Sequence, residues 1–157
     1  MILRKFRRVV LDVKGFTIAE MMAAVGVIAV VMAVAVPNYL AIQPGMRLNG
    51  AAREVLGKLM WARAKAVEQN STYAVNFPTN HTFQIFSDAN GNNAVDAGEW
   101  SLTIDIQTDY TGVTLSSNVS TVSFSSRGTG VAATITITNT TGSKIVTVVA
   151  TGNVKIS

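Results

Sequence analysis

The 157-residue chain has no cysteine, one histidine, three prolines, and charge on only 14% of its residues. Without cysteine there are no disulfides, no thiol nucleophile and no thiolate metal site, although the compartment stays open because many extracytoplasmic proteins also lack disulfides. The single histidine, His81, sits in the turn-like stretch Thr79-Asn80-His81-Thr82 and has no second histidine to build a metal or catalytic set with. Neither a G-x-x-x-x-G-K-[ST] phosphate loop nor a G-x-S-x-G nucleophile turn occurs. The residues therefore predict no enzyme and no resident cofactor, with one calcium-type loop discussed below. Scarce charge with 48% hydrophobic residues is the opposite of a disordered composition. One packed domain plus an extension fits the length.

The few charges are unevenly placed. Arg4, Lys5, Arg7, Arg8 and Lys14, opposed only by Asp12, give the first 15 residues a charge of +4, and the rest of the chain is balanced. The basic pI is thus a property of a short leader and does not indicate a nucleic-acid surface. From Phe16 to Ile42 the chain is almost wholly apolar, and no charge occurs between Met21 and Met46. Met21–Val36 alone is 16 residues of apolar or glycine character. With its flanks it reaches the roughly 20 residues that span a bilayer as a helix. A basic cluster ahead of a single span predicts a cytoplasmic leader and an extracytoplasmic remainder. A competing reading is a secretory signal cut after Ala33-Val34-Ala35, releasing a soluble β protein. Glu20 speaks against it, because such an apolar region is about 7 to 15 residues without an acid.

Glu20 also sets the segment apart from a plain anchor, since a carboxylate within an apolar helix costs about 2.5 to 3.5 kcal/mol to insert and calls for a partner. A cut after Gly15 would create an ammonium group on Phe16, one helical turn from Glu20 or opposite the Glu20 of a neighbour in a bundle. Either pairing neutralises both charges. The stretch Gly15-Phe16-Thr17-Ile18-Ala19-Glu20-Met21-Met22 resembles the processing motif of type IV pilins and pseudopilins, written G-F-T-L-x-E. Counted from Phe16, Glu20 is the fifth residue and Pro37 the twenty-second, positions where that family carries a glutamate and a helix-loosening proline; Tyr39 adds to the likeness. The resemblance implies cleavage after Gly15 by a prepilin peptidase, N-methylation of Phe16, and an assembly role for Glu20. It further implies other pilin or pseudopilin subunits and an inner-membrane assembly platform as partners.

Beyond Pro37 and Pro44-Gly45, either able to kink a helix, Arg47–Asn70 reads as amphipathic. Leu48, Ala52, Val55, Leu59, Ala62 and Ala66 form one apolar stripe, widened by Leu56, Met60 and Trp61. Gln69-Asn70-Ser71 stops it. Period-two segments then predict strands at 72–77, 82–87, 99–106, 120–126, 131–138, 144–150 and 154–156. From Ser101 to Ser157, 22 of 57 residues are Ser or Thr, alternating with aliphatics in Thr134–Thr138, so one sheet face is wet. The predicted class is α+β, with a long kinked N-terminal helix, half transmembrane and half amphipathic, packed on an antiparallel β-sheet ectodomain. The segments are a leader (1–15), a membrane and assembly helix (16–45) and an ectodomain (46–157). The runs Ala51–Asn70, Asp88–Trp100, Phe124–Gly128 and Thr151–Lys155 resemble the GspH/FimT group of minor pseudopilins and minor pilins. That resemblance implies a structural subunit of a periplasmic or surface filament: an H-type minor pseudopilin of type II secretion, or else a FimT-like minor pilin.

Two further ligands are predicted from residue type. Asp88, Asn90, Asn92, Asp96 and Glu99 fall at positions 1, 3, 5, 9 and 12 of the calcium-loop pattern D-x-[DN]-x-[DN]-G-x5-E, with Asn93 in place of the turn glycine. Strands rather than helices flank the loop, and Asn, Asp and Gly are also what any hairpin loop selects. For DNA, FimT-like pilins that take it up carry a basic tail resembling G-R-x-R; here Gly152-Asn153-Val154-Lys155 retains one cation, leaving Lys155 and Lys144 as candidate contacts. Phosphate binding needs several cations, so DNA is not an expected partner.

Overall fold

A computed structural model describes residues 15–157, and the leader cations Arg4, Lys5, Arg7, Arg8 and Lys14 lie outside the described residues. Helix α1 (Ile18–Glu68) is followed by β1 (Tyr73–Asn76), β2 (Thr82–Ser87), β3 (Ser101–Asp105), a short 3-10 turn (Ile106–Thr108), β4 (Thr114–Ser117), β5 (Thr121–Phe124), β6 (Ala133–Asn139), β7 (Gly142–Val148) and β8 (Val154–Ile156). The described residues divide into two compact units, one ending at Leu40 and the other Ala41–Ser157.

In the first unit residues 15–40 are exposed throughout, so nothing among the described residues covers their apolar side chains. Neither Pro37 nor Pro44-Gly45 ends α1. Pro37 removes one backbone donor. Beside that gap the Asn38 side-chain amide donates to the Val34 carbonyl at 3.0 Å.

In the second unit the buried face of α1 is Leu48, Ala51, Ala52, Val55, Leu59, Ala62 and Ala66. The predicted stripe is therefore the core face, with one correction. Leu56 and Trp61 are half-buried against it, whereas Met60 is 52% exposed and does not widen it. The helix stops as the residue types require. Asn70 takes a left-handed φ of 49°, the Ser71 N–H reaches back to the Ala66 carbonyl at 3.1 Å, and the Asn70 N–H points to that of Val67. This is the Schellman pattern with asparagine in the glycine place.

The strands form two antiparallel sheets rather than the one expected, in the orders β3-β2-β1-β5 and β4-β6-β7-β8. The chain changes sheet between β3 and β4, between β4 and β5, and between β5 and β6. β4 was not among the predicted strands because only Val113 and Leu115 carry its inward pattern. Alternation in β6 is as predicted: Ala133, Ile135 and Ile137 are buried, while Thr134, Thr136 and Thr138 face outward. Inward residues of both sheets, including Val75, Phe83, Ile85, Val122, Ile135, Val146 and Val148, join the α1 stripe in one core. Alanines on α1 let the helix backbone approach closely, so the larger side chains come from the strands.

One clasp ties helix and loops together. The Arg63 Nε donates to the Gly128 carbonyl at 2.8 Å, the Gly130 N–H donates to the Ala150 carbonyl at 3.1 Å, and Gly152 lies directly against Gly128. Gly152 has φ +79°, and a Cβ there would overlap the Gly128 carbonyl and come within 2.9 Å of Arg63 Nε. Three of the segments singled out in the sequence, from α1, the β5–β6 turn and the β7–β8 turn, thus converge on Arg63.

Two stability predictions follow from this packing. Leu59→Ala lowers unfolding free energy by about 2 to 5 kcal/mol as a buried truncation, while the adjacent Met60→Ala stays within about 0.5 kcal/mol. Denaturant titration of the full chain in detergent, followed by near-ultraviolet circular dichroism, measures both. By the same assay Gly152→Ala costs at least about 1 to 3 kcal/mol, since it combines a left-handed backbone with a backbone clash.

Candidate assembly and processing site

The motif residues lie where α1 begins. Gly15, Phe16 and Thr17 are outside regular structure, α1 starts at Ile18, and Phe16 is 84% exposed. Glycine next to an irregular, exposed Phe16 leaves the Gly15–Phe16 peptide open to a protease, with no helical hydrogen bonds to break. Three residues on, Glu20 folds back over the helix start. Its Oε2 accepts from the Thr17 N–H at 2.9 Å and from the Thr17 hydroxyl at 3.0 Å, and the Glu20 N–H donates to the Thr17 hydroxyl at 3.2 Å. This is a capping box. It satisfies two of the donors that every helix N-terminus leaves open.

The box refines what the sequence implied for Glu20. In the uncut chain its intrachain partner is Thr17, not the Phe16 nitrogen. The Thr17 N–H survives a cut after Gly15, so the cap is compatible with a mature terminus at Phe16. Thr17-x-x-Glu20 is itself the standard capping-box signature, a signal present in the sequence beside the processing motif. A carboxylate held by a short in-chain cap at an exposed helix end can still receive an ammonium group from outside, because only Oε2 is engaged.

From Ile18 onward α1 contains the one helix among the described residues long and apolar enough to cross a membrane, judged by length and composition. Ile18, Met22, Val25 and Val30 are each more than 60% exposed. Full burial of such a side chain contributes about 1.5 to 3 kcal/mol. The surface therefore demands lipid or other helices.

The remaining predicted residues are placed as follows. In the 88–99 loop Asp88 is 1% exposed, and its carboxylate accepts from the Asn92 N–H at 3.0 Å and the Asn93 N–H at 3.2 Å. Asn93 takes a φ of 59°, the left-handed turn that the pattern requires in place of glycine. The Asn90 and Asn92 side-chain amides both donate to Asp96 Oδ2 at 2.7 Å. Glu99 accepts from the Ala89 and Asp96 N–H groups. The loop is thus closed on its own donors, and among the described residues no three of His, Cys, Asp and Glu are grouped to hold a metal ion.

Lys144 and Lys155 are not brought together. Lys144 pairs with Ile137 in β6 and shares the side of β7 that carries buried Val146 and Val148, whereas Lys155 pairs with Thr147 on the opposite side. His81 Nδ1 lies 3.1 Å from Asp105 Oδ1. The Gln107 N–H, and secondarily His81, hold the Asp105 carboxyl below the usual carboxylate range. This pair lies at the open end of the β2–β3 hairpin, where Asp105 pairs with Thr82 and the His81 N–H donates to the Thr79 hydroxyl.

The family described as Type II transport protein GspH matches residues 51–152. No curated protein sequence matches the chain. Among solved structures, the type IV minor pilin FimU of Pseudomonas aeruginosa is similar with a TM-score of 0.55 at 20% identity, over 70% of this chain and 92% of that one. The minor pseudopilin EpsH from the type 2 secretion system of Vibrio cholerae is similar with a TM-score of 0.55 at 11% identity, over 71% and 96%. Both share the fold of a long helix packed on antiparallel sheets. The chain belongs to the GspH family and shares its fold with a type IV minor pilin and a minor pseudopilin.

Proposed function

We propose that this chain is the H-type minor pseudopilin of a type II secretion system, a non-enzymatic structural subunit of a periplasmic filament that serves protein export. The observation that carries the proposal is the exposed start of α1, capped by Glu20 and otherwise apolar, which follows a Gly15–Phe16 peptide outside regular structure. The description of the matching family as a type II transport protein supports the export reading. In this reading the chain is inserted in the inner membrane as a single pass, with residues 46–157 in the periplasm. A prepilin peptidase cuts after Gly15, Phe16 is N-methylated, and an inner-membrane platform adds the subunit to its partners. Burial of apolar helices against one another drives assembly, and the Glu20 carboxylate receives the amino terminus of a neighbouring subunit. The alternative role, a FimT-like minor pilin of a surface pilus used in assembly, adhesion or DNA uptake, draws on the same helix chemistry. Nucleic acid is not a proposed partner, because Lys144 and Lys155 occupy opposite sides of their sheet.

The test compares a deletion strain with its parent. Exported proteins held in the periplasm while surface pili persist is the expected result; normal release with loss of pili identifies the minor pilin instead. In the complemented strain, mass spectrometry of the subunit gives N-methylphenylalanine at position 16. Glu20→Ala leaves that cleavage intact and abolishes incorporation into filaments. Incorporation of Glu20→Ala at parental levels contradicts the assigned role.

For the 88–99 loop we propose a self-closed hairpin that holds its shape without a cation. Millimolar calcium then leaves the melting temperature of the ectodomain unit unchanged. A rise of several degrees assigns Asp88, Asn90, Asn92, Asp96 and Glu99 to a calcium site of the weak extracellular type, with affinity on the order of 0.1 to 1 mM.

A further inference from the structure

One end of the core facing α1 is left open. Along β2 the inward positions are Phe83, Ile85 and then Ser87, so a serine stands where the series would place a third apolar side chain. Tyr73 is opposite Ser87 in the β1–β2 register. On the other side the Ser87 N–H donates to the Trp100 carbonyl at 2.9 Å, and the Trp100 N–H donates to Ser87 Oγ at 3.2 Å. Tyr73, Ser87 and Trp100 therefore form one row across the sheet. Trp61 of α1 meets this row, with its ring 5.3 Å from that of Trp100 and 6.4 Å, edge-on, from that of Tyr73. Lys65, one turn farther along α1, and Gln69, just past its end, complete a cleft of about 280 Å³. Trp100 is 44% exposed and Trp61 half-buried, whereas Phe83, Phe86 and Phe124 are sealed.

Charge decides what such a cleft can hold. Lys65 Nζ already occupies the cation position over the Trp61 ring at 5.9 Å, which disfavours a second cation there. It is neutralised by Glu68 at 2.8 Å, so a phosphate or carboxylate meets no uncompensated charge. What remains suits a neutral ligand with an apolar face and a polar edge. Gln69 Oε1 accepts from the Tyr73 hydroxyl at 2.7 Å, which fixes the amide and leaves its nitrogen to donate twice. Mostly aromatic walls with a few placed polar groups are the composition of a small-ligand pocket.

We infer that the Trp61–Tyr73–Trp100 cleft binds a neutral sugar ring of a glycan, with the C–H face of the sugar on the indoles and its hydroxyl or acetamido groups on Gln69 and Ser87. The biological relevance rests on the proposed extracytoplasmic placement of this unit, where cell-wall and surface glycans are met; the binding itself does not.

The sequence has two tryptophans, and both line the cleft, so intrinsic fluorescence reports this site alone. The full chain in a sugar-free polyoxyethylene detergent is titrated with chitotriose and with maltotriose. The expected result is a saturable change with at least one of them and a Kd of about 1 mM, the range of a single weak contact site. Gln69→Ala, which keeps both fluorophores, weakens that affinity at least tenfold. Trp100→Phe, followed by the indole N–H resonance of Trp61, does the same while preserving an aromatic ring in the row. Absence of a saturable change with both sugars overturns the inference, as does unchanged affinity in both variants. Saturation by choline chloride or by a single-stranded oligonucleotide instead of the sugars also overturns it. These outcomes are independent of the deletion-strain result, so the inference and the proposed filament role can fail separately.

Discussion

A 51-residue helix whose first half is apolar but for Glu20 and Asn38, and is covered by nothing among the described residues, is the constraint on which the rest of this structure depends. Water cannot be its solvent, since each large side chain left exposed forgoes about 1.5 to 3 kcal/mol of burial. In the proposed filament role, lipid before assembly and neighbouring helices after it supply the missing contacts. The single acid in this stretch is tolerable because it sits at the helix start, where Thr17 and the open N–H donors need an acceptor. The feature that would be most costly in a membrane helix is thus placed where a helix needs it, close to the terminus that cleavage would create.

The Ala41–Ser157 unit solves a different problem with the same helix. From Leu48 to Ala66 the buried positions are mostly alanine, which brings the helix backbone close and leaves the volume to be filled by Phe83, Ile85, Ile135 and other strand residues. Close approach needs a fixed distance, and the Arg63 clasp supplies it through the Gly128 carbonyl. Glycine at 152 is required for that contact. The three sequence-distant segments that converge on this arginine lie within or at the edge of residues 51–152, the span that matches the GspH family.

Much of this was legible in the residues. The stripe from Leu48 to Ala66, the helix stop at Gln69–Ser71 and the strands with long alternation are local patterns, and local patterns survive folding. Met60 was misplaced because it lies at the margin of the stripe, where only the position of the sheet decides cover. β4 was invisible because two apolar residues do not make a period. The division into two sheets could not be read at all: alternation tells which side of a strand faces inward but not which strand lies beside it. In the 88–99 loop the composition indicated oxygen ligands, yet Asn90 and Asn92 turn their nitrogens toward Asp96. The aromatic cleft had no signal, since Trp61, Tyr73 and Trp100 meet only through the β1–β2–β3 register.

The central claim, that the start of α1 lies in the membrane while the sheets lie outside the cytoplasm, is open to a direct measurement because the chain has no native cysteine. Single substitutions Val30→Cys, in the apolar half, and Ser143→Cys, at the exposed start of β7, are treated in spheroplasts with a membrane-impermeant maleimide. The account predicts labelling of Ser143→Cys at once and of Val30→Cys only after detergent is added. Labelling of Val30→Cys in intact membranes, or protection of Ser143→Cys, would contradict it.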